Sequence, residues 1–257
     1  MLTEIDERVH ASVNLHAVFG ALPRLVELVP AARALTESLD RPVALTFVAA
    51  GVGRMTLGFT SGAVIEGATT DAGNVRLLFR SPAHLNAVIA GTAQPIPFAG
   101  PRGLKFLTGV FAPMADLLGR YLQPSAADLE DPVFVEAHNL LSLHVAATAI
   151  TVIANEDHAG KFSAAQMADG DLDIAVGDDL SYRIRVADHR LSLVPASAQP
   201  ARAVFSFADL ATAGDVLGGR ESALACVCDG RIAMRGYIPL VDNTSRILDR
   251  VGQYLGK

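Results

Sequence analysis

Along Ala201–Leu240 the apolar positions change period several times, and each change marks an element. In ARAVFSF (201–207) apolar and small side chains crowd both faces, with β-branched and aromatic types enriched, which predicts a well-covered strand. ADLATAGDVL (208–217) then places Leu210, Ala213 and Leu217 at helical spacing, and Gly218-Gly219 stops the helix. ALACVCDGRIAMRGY (223–237) reads as a hairpin, with Asp229-Gly230 as the turn between two alternating runs. A closing helix follows.

The rest of the chain alternates in the same manner. Val13–Leu39 predicts helix, interrupted near Pro23 and Pro30. VALTFVAA (43–50) and RMTLGFTSG (54–62) predict strands paired around Gly51-Val52-Gly53, AVIEGA (63–68) continues the meander, and NVRLLFR (74–80) is a further strand. Ser81-Pro82 starts a helix, Ser as N-cap and Pro in the first turn, with Leu85, Val88 and Ile89 on one face. QPIPFAGP (94–101) holds prolines that cannot donate to a central ladder, so it predicts an edge strand or a loop. A helix over Lys105–Leu122 should bend at Pro113. PVFVEAHNLLSLHVAATAITVIA (132–154) predicts helix at least to Thr148, and its β-branched end, Ile150–Ile153, fits helix or strand. Residues 171–195 form a meander with turns at Asp178-Asp179 and Asp188-His189.

Part of this order occurs twice. Arg76-Leu77-Leu78-Phe79, Leu85 and a stop at Gly91 parallel Arg202-Ala203-Val204-Phe205, Leu210 and Gly218. DLLGRYL (116–122) likewise parallels DRVGQYL (249–255). The chain therefore reads as a duplication, with domains at 1–123 and 124–257 and the break in the Pro/Ser/Asp-rich segment Gln123–Pro132. Each copy combines a helix, an antiparallel or mixed sheet, an inserted helix and a closing helix. That is an α+β arrangement.

Composition narrows the function. Of the 257 residues 51% are apolar, and the mean hydropathy is +0.34. This is more greasy material than a core alone requires. The least polar run, Val145–Ala154, falls short of the roughly 20 residues that span a bilayer. MLTEIDERVH is acidic without an apolar stretch, so no signal peptide is expected, and two cysteines one residue apart form no disulfide framework. A reducing, cytoplasmic setting is the expectation. A net charge of −6 without Lys/Arg blocks argues against nucleic acid.

Candidate chemistry is sparse. GVGRMTLG (51–58) has the wrong glycine spacing for a dinucleotide loop and no helix after it. Asp169–Leu180 starts like a calcium loop but lacks the sixth-position Gly and the final Glu, so its acids read as solvated turn charges. Cys226 and Cys228 would share one face of a strand, as core or pocket wall, with no further ligands at metal spacing. His138 and His144, like His10 and His16, lie six residues apart and face different sides of a helix. Glu156-Asp157-His158 offers acid and base types together, but adjacency in sequence is not catalytic geometry. G-x-S-x-G, P-loop and H-E-x-x-H patterns are missing. No catalytic residue, metal or cofactor is expected, and a lipid-acting enzyme would rest only on scattered His and Asp residues.

Phe205-Ser206-Phe207, Gly218-Gly219 and Gly230-Arg231-Ile232-Ala233-Met234-Arg235-Gly236 stand in the order seen in the core of the sterol carrier protein 2 (SCP2) family. The chain resembles two tandem copies of that domain, over about Pro42–Leu122 and Leu180–Leu255. The first departs at QPIPFAGPRG (94–103), and neither copy has Trp. The resemblance implies a non-catalytic carrier whose sheet and closing helices enclose an apolar tunnel for a sterol, fatty acid or acyl lipid. In the second copy the implied lining is Phe205, Phe207, Leu210, Leu217, Leu224, Cys226, Met234, Tyr237, Ile238, Val241 and Leu248. In the first it is Phe79, Leu85, Ile89, Phe98, Phe106 and Phe111. Flexible Met side chains suit a wall that adapts to variable chains. The resemblance also allows transient membrane contact and a homodimer. Its alternative is a ligand-free interaction or dimerisation module serving a separate enzyme.

Overall fold

The computed structural model describes residues 5–67, 74–178 and 180–256. They divide into two compact units, one of residues 10–137 and one joining 5–9 to 138–256.

The 10–137 unit starts within helix α1 (Glu7–Val13). A π turn (Asn14–Val18) and a 3₁₀ turn (Phe19–Ala21) lead into α2 (Leu22–Leu28). The interruption expected near Pro23 is this irregular stretch, and Pro23 itself occupies the first turn of α2, where its missing N–H costs nothing. The break falls at Val29, driven into extended backbone by Pro30, which opens α3 (Pro30–Glu37).

Five strands follow: β1 (Val43–Ala49), β2 (Gly53–Thr60), β3 (Ala63–Glu66), β4 (Asn74–Phe79) and β5 (Ile96–Phe98). They lie in the order β3-β2-β1-β4-β5, with β1 and β4 parallel and the other pairs antiparallel. Helix α4 (Pro82–Ile89) joins β4 to β5, and the Ser81 hydroxyl caps it by accepting the His84 N–H at 3.1 Å. The Pro-rich segment does form an edge strand. Beyond it, α5 (Pro101–Phe106) continues through a π turn (Leu107–Phe111) into α6 (Ala112–Leu122), so the irregularity expected at Pro113 lies just ahead of it. The buried face of the sheet meets these helices through aromatic rings, Phe47 stacking on Phe19 at 4.6 Å and Phe59 meeting Phe106 edge-on at 5.0 Å.

Helix α7 (Pro132–Glu156) runs without a break, so Ile150–Ile153 is helical. It is apolar and long enough to cross a bilayer, yet 72% of its apolar window is buried inside the protein, as in a core helix. Helix α8 (His158–Ala164) precedes β6 (Gly170–Val176), β7 (Leu180–Ala187), β8 (Arg190–Val194) and β9 (Ala203–Phe207). Asp188 and His189 both adopt positive φ, as a two-residue hairpin requires. Asp179, half of the other expected turn, lies outside the described residues.

After α9 (Leu210–Leu217) the structure corrects the expected hairpin: residues 223–228 form helix α10 (Ala223–Cys228). Only the second run is a strand, β10 (Ile232–Gly236), and it pairs with β9, Met234 opposite Phe205. Gly230, at φ +84°, terminates α10 instead of turning a hairpin, and its N–H donates to the Val227 carbonyl at 3.3 Å. Cys226 is therefore buried while Cys228 is exposed; they do not share a strand face. Helix α11 (Ile238–Tyr254) closes the unit against β9 and β10.

The second sheet runs β10-β9-β6-β7-β8, with β6 and β9 parallel. Matched strand for strand, its order and directions repeat those of the first. Each sheet buries one face. On the other face of the second sheet, bidentate pairs Asp173–Arg183 and Asp171–Arg185 link β6 to β7.

Candidate functional site

Helix α7 offers Leu143, Ala146, Ala147 and Ile150 at helical spacing, hence on one face. On β9, Phe205 and Phe207 point to the same side, their rings 5.3 Å apart and near edge-on. Ile174 of β6, Leu217 of α9, and Thr244, Ser245 and Leu248 of α11 complete a small apolar-lined cavity between sheet and helices. Its volume is ≈ 10 Å³, the room of about one water molecule. The Thr244 hydroxyl is buried and has no hydrogen-bond partner.

Of the residues implied as lining in the second copy, Phe205, Phe207, Leu217 and Leu248 meet at this cavity. Val241 and Cys226 are buried but do not line it, and Leu210 is half-buried at the start of α9. Leu224 (73% exposed), Ile238 (76%), Met234 and Tyr237 lie at the surface. The reason is topological. β10 is an edge strand, so Met234 sits beside Phe205 at the rim of the sheet, and α10 carries Leu224 outward. In the other unit Phe79, Leu85, Phe106 and Phe111 are core residues, Ile89 is half-buried and Phe98 is exposed on edge strand β5. Ring contacts such as Phe47–Phe111 at 5.7 Å fill that core. On α11 the expected Leu248 is joined by Thr244 and Ser245, which, like Ile174 and the α7 residues, the sequence pattern does not mark.

The strongest electrostatic feature is a buried network beside α11. Asp157 caps α8 by accepting the Gly160 N–H at 2.9 Å. Its carboxylate also takes Arg250 Nη2 at 3.0 Å and the Tyr254 hydroxyl at 2.8 Å. Burial opposes ionisation of Asp157, but donors from Arg250, Gly160 and Tyr254 hold its carboxyl below the ordinary range. Burial, and then the bond to Asp157, push Tyr254 up to about 12. Glu156 pairs with Arg8 at 3.1 Å, so both acids beside His158 have partners within the fold. Burial likewise raises the Cys226 thiol, which faces Glu221 at 3.6 Å. Among the described residues no three His, Cys, Asp or Glu side chains are placed to hold a metal ion.

No protein-family model matches the chain, and no curated protein matches it either.

Proposed function

We propose that the unit containing 138–256 binds the apolar part of a hydrophobic small molecule, of the sterol, fatty acid or acyl lipid class, without acting on it chemically. One observation carries this reading: the cavity where Phe205 and Phe207 face Ile150 of α7 and Leu248 of α11. The SCP2-like order of motifs in the sequence points the same way.

At ≈ 10 Å³ the cavity is too small for such a ligand, so on this reading binding parts α9 and α11 from the sheet. Leu217 and Leu248, both half-buried, are the side chains that would move. Burying about 200 Å² of apolar ligand surface supplies about 5 kcal/mol, which sets the opening cost that the fold must stay below.

Native mass spectrometry of freshly purified protein, with solvent extraction of bound material, tests the reading. One lipid per chain supports it. An empty protein that also ignores a panel of fatty acids and sterols removes it.

A further inference from the structure

The free edges of the two sheets are treated differently. In the 10–137 unit, β5 contains Pro97 and directly follows Pro95, neither of which offers an N–H to an added strand. In the other unit, β8 is covered at Leu191, whose N–H donates to Asn155 Oδ1 at 3.0 Å and whose carbonyl accepts Asn155 Nδ2 at 2.7 Å. β10 has neither device. Four of its five residues, Ala233 to Gly236, are exposed, and exposed Leu224, Tyr237 and Ile238 flank it in sequence.

The register shows which backbone groups this edge offers. Tyr237 N–H donates to the Arg202 carbonyl at 3.1 Å, and Ala208 N–H to the Arg231 carbonyl at 2.8 Å. Bonded pairs alternate along an antiparallel ladder, so Ala233 and Arg235 turn their peptide groups toward β9. Ile232, Met234 and Gly236 turn theirs outward.

We propose that two copies of the protein pair β10 with β10, antiparallel about a twofold axis through Met234. Ile232 then faces Gly236 of the second copy, and Arg235 faces Ala233. Ile232 and Arg235 each meet a small residue, and no two arginines stand opposite each other, the arrangement that would repel. The Met234 side chains meet at the axis, and the two sheets become one continuous sheet. The same surface is self-complementary, as a twofold contact demands.

Sedimentation velocity of the full chain over a concentration series tests this, with charge variants on the exposed side. Ala233→Glu places a carboxylate opposite Arg235 of the second copy and should tighten the dimer. Ala233→Arg should weaken it by about tenfold, because the repulsive pair occurs twice. Met234→Pro removes an outward N–H while sparing the bonds to β9, as Pro97 does on the other sheet, and should give monomer. Circular dichroism checks that each variant is folded; the two Ala233 variants decide the matter if the Pro variant is not. A wild-type protein that stays monomeric throughout overturns the proposal. So does a dimer indifferent to the sign of the charge at position 233.

Discussion

Asp157 and Arg250 lie 93 positions apart in sequence and 3.0 Å apart in the fold, both nearly dry. The pair ties the junction of α7 and α8 to the closing helix. Removing one partner leaves the other charge buried and uncompensated, at a cost of about 3–5 kcal/mol. Asp157→Ala should therefore lower the denaturation midpoint severely. The double variant Asp157→Leu with Arg250→Met should recover most of the loss, and what remains should approach the ~1 kcal/mol of the lost α8 cap. Urea unfolding of both proteins measures the difference.

The same network makes stability fall at both ends of the pH scale. Asp157 titrates below its ordinary 3.8 in the folded protein, so its contribution is present above that value and lost as pH falls through the lower folded one. Tyr254 is raised from 10.0 to about 12, so its contribution is complete below pH 10 and lost as pH rises toward 12. Unfolding midpoints between pH 10 and 12 should drop more steeply for the wild type than for Tyr254→Phe.

Gly214 of α9 lies directly against the buried Asn139 side chain of α7: a Cβ at this position would overlap the Asn139 amide. Asn139 Oδ1 is also buried without a hydrogen-bond partner. Gly214→Ala should thus destabilise by about 1–3 kcal/mol through overpacking. Adding Asn139→Ala should restore part of the loss by removing the obstructing amide. Thermal melts of the single and double variants report the coupling.

Ligand uptake and core stability separate at the cavity wall. Phe205 is buried, so Phe205→Ala should cost about 3–5 kcal/mol whatever the function. Leu248 is a half-buried part of the cavity wall, and Leu248→Asp should leave the fold standing while abolishing retention of a fatty acid or sterol. Retention unchanged in a folded Leu248→Asp protein would count against this cavity as the site.

The strands were legible where alternation was clean: β1 and β2 pair as expected, Leu45 opposite Leu57. The parallel pairing of β1 with β4 was not, because it joins segments whose own patterns say nothing of each other. Residues 223–228 misled because an apolar run of that length fits strand or helix equally, and the Asp-Gly after it serves a helix end as well as a hairpin. At the cavity, Phe205 and Phe207 stood out as alternating aromatics. The α7 residues did not, since that helix is apolar around its whole circumference and no face is marked. Thr244 and Ser245 carry hydroxyls, so the apolar pattern of α11 does not mark them as cavity wall.

The unit that closes with α11 also includes residues 5–9, and the Asp6 N–H donates to the Tyr254 hydroxyl at 3.2 Å. The 10–137 unit is thus an insertion, translated between the two pieces of its companion. A growing chain can complete the inserted unit while residues 5–9 still lack the partner that arrives with the last turn of α11. Trimming those early residues should therefore be felt as fraying at Tyr254, at the far end of the sequence.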